Sequence, residues 1–289
     1  MAQDVDDTGA TTRRGPRAPG ARLNTLAVGT AGPRVAFLHG LFGQGRNWTQ
    51  VAKALAGPDG TGARCLLVDL PDHGRSPWTE QFSYRTYAER VADTLAAEAP
   101  GEQWVLVGHS LGGKTAMVTT LLHPELVGHL VVVDIAPKDY GDLDRFRHYI
   151  AAMRALPLDE LESRGDAEER FADAEPDPGI RGFLLQNLRR HGSEWSWQAN
   201  LDLFAADAEQ GEDSHIADFP DLGRSWDGPV VWLAGERSGY VRDEDTDAMR
   251  TLFPRARLVT VKGASHWVHT DAPDVVVETL RRVLRSTPA

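Results

Sequence analysis

The sequence predicts an α/β fold, in which a mostly parallel central sheet carries helices on both faces and a helical insertion. Two observations support this prediction. Short apolar runs alternate along the chain with stretches that have helical periodicity. The runs are apolar at nearly every position, which is typical of strands that are buried on both sides in a parallel sheet.

The alternation defines the elements in chain order. The runs that we predict to be strands span residues 34–38, 65–70, 103–107, 130–133, 230–233 and 258–261. The stretches that we predict to be helices include residues 84–99, 111–122, 243–253 and 273–285. In such folds the crossovers are right-handed, and the functional site lies at the carboxyl ends of the strands.

The alternation stops between residues 138 and 227. This insertion has no convincing strand and contains amphipathic segments such as 143–155 and 179–190, so we predict a helical cap over the strand ends. It has about twice as many acidic as basic residues and carries most of the net charge. Residues 22–137 and 228–289 then form the α/β core.

Residues 1–21 are rich in Asp, Thr, Arg, Pro and Gly, which predicts a disordered tail. They contain no apolar stretch of the kind found in secretory signals. No run in the sequence reaches the roughly 18 apolar residues of a membrane span. We therefore expect a cytoplasmic protein.

The charge balance bears on the class of partner. The chain has 289 residues, with 42 acidic against 31 basic side chains and a net charge of −11. Such a surface repels phosphate backbones and anionic lipid, so we expect neither nucleic acid nor membrane as a partner. Cys65, the single cysteine, lies in an apolar run and is expected to be an inert buried thiol. We therefore expect a small-molecule substrate, and we expect the protein to be a monomer or a homodimer.

The strongest motif is Gly108-His109-Ser110-Leu111-Gly112, which fits the G-x-S-x-G pattern of a nucleophile elbow. In an elbow a strand turns so sharply into a helix that the serine takes strained backbone angles, and its neighbours must be small. The serine Oγ then projects into a cleft, where the helix N-terminus and the next N–H face a developing oxyanion. Because the motif lies between a predicted strand and a predicted helix, Ser110 is the candidate nucleophile.

The same segment fits a second pattern. Residues 108–115 match the P-loop G-x-x-x-x-G-K-[ST], and Asp134 after an apolar run could act as its magnesium-binding aspartate. A nucleotide hydrolase has no use for a second glycine-rich loop at residues 39–43 or for the turn at residues 263–267, whereas a serine hydrolase needs both. We favour the serine hydrolase, in which Lys114 and Thr115 pack against neighbours or face solvent.

A serine hydroxyl needs a histidine base, a carboxylate that orients the base, and two N–H donors for the oxyanion. His266 is the best of ten histidines for the base, because it follows the last predicted strand and completes the chain order Ser–Asp–His. His269 is expected to be structural, and a metal site on this pair is disfavoured because no third ligand stands at suitable spacing. No metal or cofactor is expected.

The oxyanion donors are expected from two loops. Leu111 supplies one N–H, and Leu41 supplies the other from the turn after an early strand, where Gly40 allows close passage. His39 and Phe42 belong to the same turn and are candidates for the substrate-binding wall. His39 could instead hydrogen-bond loop backbone. The same holds for two other histidines near strand ends, His73 and His109.

The orienting carboxylate is harder to assign. The position after the strand at residues 230–233, where an acid is usual, holds Ser238. Asp134 ends the preceding strand and would point into the same cleft, so we favour Asp134 as the acid with Ser238 hydrogen-bonded nearby. A capping or loop-anchoring role for Asp134 is the alternative. Asp243 and Asp245 are the next candidates for the acid.

Five segments together resemble the α/β-hydrolase superfamily. They are residues 37–43 (Phe-Leu-His-Gly-Leu-Phe-Gly), 69–76 (Asp-Leu-Pro-Asp-His-Gly-Arg-Ser), 108–115, 132–137 (Val-Val-Asp-Ile-Ala-Pro) and 263–267 (Gly-Ala-Ser-His-Trp). The run from Gly108 to Met117 looks like the short-chain esterase branch, which includes bacterial esterases and a mitochondrial relative. The resemblance covers roughly residues 30–285.

The resemblance implies an α/β-hydrolase fold, hydrolysis of carboxylic esters or thioesters, and no cofactor. Some members of the branch have the acid after the strand that here ends at Asp134, with a serine at the later position, and others have it elsewhere. We expect an acyl-enzyme mechanism on esters of small or medium acyl chains, and the acidic insertion disfavours polyanionic substrates. Lactone or C–C bond hydrolysis, acyl transfer, and non-catalytic binding of a small molecule are the alternatives.

The insertion is expected to complete the acyl pocket. One or two of its large apolar side chains should line that pocket, and the others should form the insertion's own core and docking face. These side chains are Phe146, Tyr149, Met153, Phe183, Leu184, Trp195, Trp197, Leu203 and Phe204.

Overall fold

The computed structural model describes residues 22–141, 144–211 and 214–286. The strands are β1 (Thr25–Val28), β2 (Arg34–Leu38), β3 (Arg64–Val68), β4 (Trp104–His109), β5 (Val127–Val133), β6 (Leu188–His191), β7 (Glu194–Trp197), β8 (Val230–Gly235) and β9 (Ala256–Val261). The α-helices are α1 (Thr49–Ala56), α2 (Tyr84–Glu98), α3 (Leu111–Leu122), α4 (Asp144–Ala155), α5 (Arg164–Phe171), α6 (Pro178–Leu185), α7 (Leu201–Ala208), α8 (Thr246–Leu252), α9 (Val268–Asp271) and α10 (Pro273–Ser286). No helix in these ranges is long and apolar enough to cross a membrane.

The described residues form one large sheet in the strand order β1-β3-β2-β4-β5-β8-β9. Strands β2 to β5, β8 and β9 run parallel to one another, which confirms the predicted mostly parallel sheet. Strand β1 pairs antiparallel with β3 and was not predicted from the sequence, because it has only four residues and its middle two are exposed. The tail predicted over residues 1–21 lies outside the described residues.

Alternate side chains of the central strands pack on opposite faces of the sheet. On β2, Ala36 and Leu38 join a core with α2 and α3, whereas Val35 and Phe37 join a second core with α1 and α10. The edge strand β9 does not fit the expectation of burial on both faces, since four of its six residues are exposed. An edge strand has a pairing partner on one side only and is less enclosed by its neighbours.

The insertion contains helices α4 to α7, and also the antiparallel pair β6–β7. The expectation that residues 138–227 hold no strand is therefore wrong, and the amphipathic segment 179–190 is divided between α6 and β6. The sequence did contain a hairpin signal. Gly192 and Ser193 form a two-residue turn between the strands, with Gly192 at φ 61°, and such turns require glycine-like residues.

Two buried asparagine side chains attach the insertion to the core. Asn187 donates from Nδ2 to the Phe42 carbonyl at 2.7 Å, and Asn200 donates from Nδ2 to Asp72 Oδ1 at 2.8 Å. Both bonds end on loops at the carboxyl side of the sheet, since Phe42 follows β2 and Asp72 follows β3. The insertion is thereby held over the edge of the sheet where the predicted site residues lie.

Close backbone packing at the start of α3 depends on glycine. A Cβ on Gly112 would overlap the backbone carbonyl oxygens of Leu38 and His39, and a Cβ on Gly108 would overlap the Gly112 carbonyl. The turn from β4 into α3 can therefore sit directly against the end of β2 only with these two glycines in place.

We predict opposite effects for two glycine-to-alanine substitutions in helices. Gly112→Ala should destabilise the fold by about 1–3 kcal/mol or more, because the new methyl group forces the backbone of β2 to move. Gly182→Ala on α6 meets no atom within 4 Å and should stabilise the chain by roughly 0.5–1 kcal/mol. Urea unfolding followed by circular dichroism measures both, and equal shifts in the two variants would contradict the packing argument.

Candidate active site

Ser110 occupies the turn between β4 and α3 in a strained conformation. Its φ of 52° and ψ of −121° are unfavourable for a side chain with a Cβ. The turn is fixed by two backbone bonds, from Ser110 N to the Val133 carbonyl at 3.0 Å and from Lys114 N to the Ser110 carbonyl at 3.0 Å. The side chain is held in the wall of a cavity at the carboxyl ends of the strands. This is the geometry that the G-x-S-x-G pattern predicts.

Asp134 follows β5 and is fully buried, and its φ of 53° is again strained. Its Oδ1 accepts the Gly235 N–H at 2.8 Å. Its Oδ2 bonds to His266 Nδ1 at 2.8 Å and accepts the Ser238 hydroxyl proton. A buried carboxylate is costly unless donors surround it, and three donors from two neighbouring loops do so here.

His266 lies in the loop after β9 and contacts Asp134 through Nδ1. With a proton on Nδ1, the imidazole presents an unprotonated Nε2. The ring stacks on Tyr240 with centroids 4.0 Å apart, and the His266 carbonyl accepts a hydrogen bond from His109 Nε2 at 2.9 Å. The ring and backbone of this residue are therefore both held in place. Tyr240 was not singled out from the sequence.

The two alternative acids lie in other surroundings. Asp245 pairs with the Lys138 ammonium at 2.7 Å and accepts the Arg242 N–H at 2.8 Å. Asp243 is an exposed residue at the start of a short 3₁₀ turn. Neither carboxylate contacts His266, whereas Asp134 does.

Leu41 and Leu111 line the same cavity as Ser110. Within the described ranges, neither backbone N–H has a hydrogen-bond acceptor, so both are available to a ligand. Gly40 makes the approach of this loop possible, since a Cβ there would lie 3.0 Å from His109 Nδ1 and 3.3 Å from Ser110 Cβ.

The Phe42 N–H, by contrast, donates to His73 Nε2 at 3.2 Å. The Phe42 ring is buried at 1% exposure and packs edge-on to Phe204, with centroids 6.0 Å apart. Phe42 thus supports the loop and contributes only to the floor of a smaller cavity beside Ser110.

His39 has both ring nitrogens bonded to backbone. Its Nδ1 lies 2.8 Å from the Gly40 carbonyl and its Nε2 accepts the Leu70 N–H at 2.9 Å. His73 repeats this pattern with the Pro71 carbonyl and the Phe42 N–H. Although His39 also borders the smaller cavity, it has no nitrogen left for a substrate, and its contacts fit the alternative of a loop-anchoring histidine.

Burial keeps these histidines neutral. Desolvation lowers the pKa of His39 to about 4, of His73 to about 3 and of His269 to about 4, and lowers that of His109 well below its usual value. His269 stacks on Trp48 at 4.5 Å between centroids, as expected for a structural residue. The described residues contain no cluster of His, Cys, Asp or Glu arranged to hold a metal ion.

The lowered pKa values of these histidines predict that the folded state is destabilised by acid. Each binds a proton in the unfolded chain below about pH 6.5 but resists protonation when folded, so stability should fall as the pH drops from 6.5 toward 4. His73→Asn should reduce the slope of melting temperature against pH in this window. His191→Gln, on exposed β6, is the control. Thermal unfolding between pH 7 and 4.5 measures the slope, and identical slopes in wild type and His73→Asn would contradict the prediction.

The main cavity has a volume of about 470 Å³ and adjoins a smaller one of about 100 Å³. Ser110 and His266 border both. The insertion contributes Phe146 to both walls, and Tyr149 and Phe183 to the smaller one. Of the other apolar side chains singled out in the insertion, some are buried in the core and some are partly buried against it: Met153, Leu184, Phe204, Trp195, Trp197 and Leu203.

Lys114 is a cavity residue that sequence reasoning missed. It is 2% exposed, and its ammonium donates to the Ala217 carbonyl and, at 2.7 Å, to the Asp218 carbonyl. It also lies 4.9 Å from the Tyr140 ring centroid. Desolvation lowers the pKa of Lys114 to about 7. Of the two roles expected for Lys114, packing against neighbours or facing solvent, the structure shows the first, with partners more than 100 positions away in the insertion. Thr115 donates to the Leu111 carbonyl within α3.

Comparison with known proteins identifies the class. Residues 33–273 match the family described as the alpha/beta hydrolase fold, and the chain belongs to this family. It is an enzyme of the esterase and lipase type, and the fold predicted from the sequence is confirmed. The P-loop interpretation of residues 108–115 has no support, since the Lys114 ammonium is engaged by carbonyls of the insertion.

Three relatives illustrate the similarity. The sn-1-specific diacylglycerol lipase ABHD11 of Mus musculus is 38% identical over 245 residues, which are 83% of this chain and 77% of that protein. Esterase YbfF of Escherichia coli (strain K12) is 30% identical over 250 residues, which are 86% and 92% of the two chains. Among solved structures, a marine microorganism esterase has a TM-score of 0.82 at 31% identity, covering 90% of this chain and 98% of that one.

Proposed function

We propose that this protein is a serine esterase that hydrolyses carboxylic esters of small or medium acyl chains through an acyl-enzyme on Ser110. One observation carries the proposal. The strained Ser110, the Asp134–His266 pair and the unpaired N–H groups of Leu41 and Leu111 converge on one cavity. These are the nucleophile, the oriented base and the oxyanion donors that acyl transfer requires.

The chemistry follows from the protonation states. Asp134 holds a proton on His266 Nδ1, so Nε2 accepts the Ser110 hydroxyl proton as Oγ attacks the ester carbonyl. The Leu41 and Leu111 N–H groups stabilise the oxyanion of the tetrahedral intermediate. His266 then protonates the leaving alcohol. Water, activated by the same imidazole, hydrolyses the acyl-enzyme and regenerates Ser110.

We assign residues 138–227 to a cap and residues 22–137 with 228–289 to the catalytic core. The contribution of Phe146, Tyr149 and Phe183 to the cavity walls supports this division. A combined space of a few hundred Å³ beside Ser110 suits a small ester. A series of 4-nitrophenyl esters from acetate to decanoate should therefore give its highest kcat/KM at short or medium chain length.

We predict that Ser110→Ala abolishes ester hydrolysis and labelling by a fluorophosphonate probe. The alanine removes the hydroxyl that we propose attacks the carbonyl, but a single buried oxygen lost from an elbow leaves the fold intact. Activity with 4-nitrophenyl butanoate, gel detection of the probe and circular dichroism give the three readouts. A folded variant that still labels and turns over would rule out Ser110 as the nucleophile.

A second prediction concerns the orienting acid. Asp134→Asn should lower kcat by about 10³–10⁴-fold with little change in KM, because the imidazole then adopts the wrong tautomer. Ser238→Ala should cost about tenfold, since it removes one hydrogen bond to the same carboxylate. The double variant Asp134→Asn with Ser238→Asp should recover part of the rate.

Steady-state kinetics of these variants distinguish the candidates for the acid. Asp245→Asn is the matched control, because it makes the same change at another buried carboxylate. Asp245 pairs with Lys138 and does not contact His266. Near wild-type kcat in Asp134→Asn would exclude Asp134 from the mechanism.

A further inference from the structure

The charges around the main cavity differ from those of the chain as a whole. Lys114, Arg145 and Arg237 line the cavity, and no aspartate or glutamate of the described ranges does. The protein nevertheless has 42 acidic and 31 basic residues. A cationic cavity in an acidic chain attracts anions locally while the remaining surface repels them.

The two arginines come from different parts of the chain. Arg145 is the second residue of α4 in the insertion, and Arg237 lies two residues beyond β8 in the core. The Arg237 N–H donates to the Ala264 carbonyl at 2.9 Å, which fixes the backbone from which this side chain extends. A ligand in the cavity could therefore contact an arginine of the insertion and an arginine of the core.

Both guanidinium groups lack a hydrogen-bond or ion-pair partner within the described part of the chain. Two other arginines close to them in sequence do have partners. Arg147, two positions from Arg145, bonds to Asp144 and to the Ala208 carbonyl, each at 2.9 Å. Arg242 pairs with Glu244 at 3.3 Å. The two arginines on the cavity wall therefore both keep free donors.

Several carboxylates close in sequence or in contact with the lining residues have partners of their own. Asp134 is surrounded by His266, Ser238 and Gly235. Asp245 pairs with Lys138. Glu236, beside Arg237 in sequence, accepts the Gly263 N–H at 2.8 Å. Asp139 and Asp218 raise the pKa of Lys114 against the effect of its burial, but neither lines the cavity. An anionic ligand would therefore meet cations without a competing carboxylate on the wall.

We propose that the cavity selects esters that carry an anionic group, a carboxylate or a phosphate, away from the scissile bond, and that Arg145 and Arg237 bind this group. The proposal rests on the esterase function proposed above and names its substrate class. It concerns substrates with a single anionic group, whereas the acidic insertion was expected to disfavour polyanionic substrates. Arginine suits the role because its planar donors match carboxylate and phosphate oxygens in pairs.

The test compares esters in pairs that differ only in charge. On the acyl side, a 4-nitrophenyl ester with a terminal carboxylate is compared with its terminal carboxamide. On the alcohol side, 4-carboxyphenyl and 4-phosphonophenyl butanoate are compared with 4-carbamoylphenyl butanoate, which also distinguishes carboxylate from phosphate. We expect at least one anionic ester to exceed its neutral partner about tenfold in kcat/KM at low ionic strength, and this ratio to shrink in 0.5 M NaCl.

The variants assign the effect to the two arginines. Arg145→Gln and Arg237→Gln should each lower the anionic-to-neutral ratio severalfold, and the double variant should bring it close to one. Arg250→Gln on α8 is the matched control, because this substitution makes the same change in net charge. Arg250 is exposed and does not line the cavity. The ratio in this control should equal that of wild type.

Binding to Ser110→Ala separates this proposal from the function on which it rests. Calorimetry should show tighter binding of the anionic ester than of its neutral partner, whether or not the wild type turns over either one. Equal kcat/KM and equal binding within every pair, or a ratio that survives in the double variant, would overturn the proposal. Preferential binding without turnover by wild type would retain the anion site and reject the esterase function.

Discussion

The buried carboxylate of Asp134 is the interaction on which the arrangement of the site depends. It is fully enclosed after β5, so it is tolerable only when donors surround it. Those donors come from the loops after β8 and β9, which reach it because β5 lies between β4 and β8 in the sheet. The strand order that places Ser110 beside Asp134 therefore also brings the His266 loop into range.

Much of this could be predicted from the sequence because the signals are local. The elbow around Ser110 needs small residues within a few positions of the serine, and the sequence displays them directly. Asp134 and His266 could be expected to lie together because each ends or follows an apolar run, and in a parallel sheet the carboxyl ends of such runs meet. The alternation of runs and amphipathic stretches was enough for the core, since its strands are buried on both faces.

The features that the sequence did not reveal depend on contacts distant in the chain. Lys114 contacts Ala217 and Asp218, 103 and 104 positions away, and nothing near the lysine signals those carbonyls. The stacking of Tyr240 on His266 was not predicted for the same reason, since the two residues are distant in the chain. The net charge of −11 likewise describes the total surface and not the wall of one cavity, which Lys114, Arg145 and Arg237 line without any described carboxylate.

The attachment of Lys114 has a consequence for exchanging the insertion between related proteins. Lys114 belongs to the first turn of α3, the helix whose Leu111 N–H is unpaired beside Ser110. A chimera that replaces residues 138–227 must supply carbonyl acceptors where Ala217 and Asp218 stand, or it leaves a buried ammonium without partners close to Ser110. The core and the insertion are thus interchangeable only as a matched set, and a graft that ends before residue 217 keeps the acceptors that this core requires.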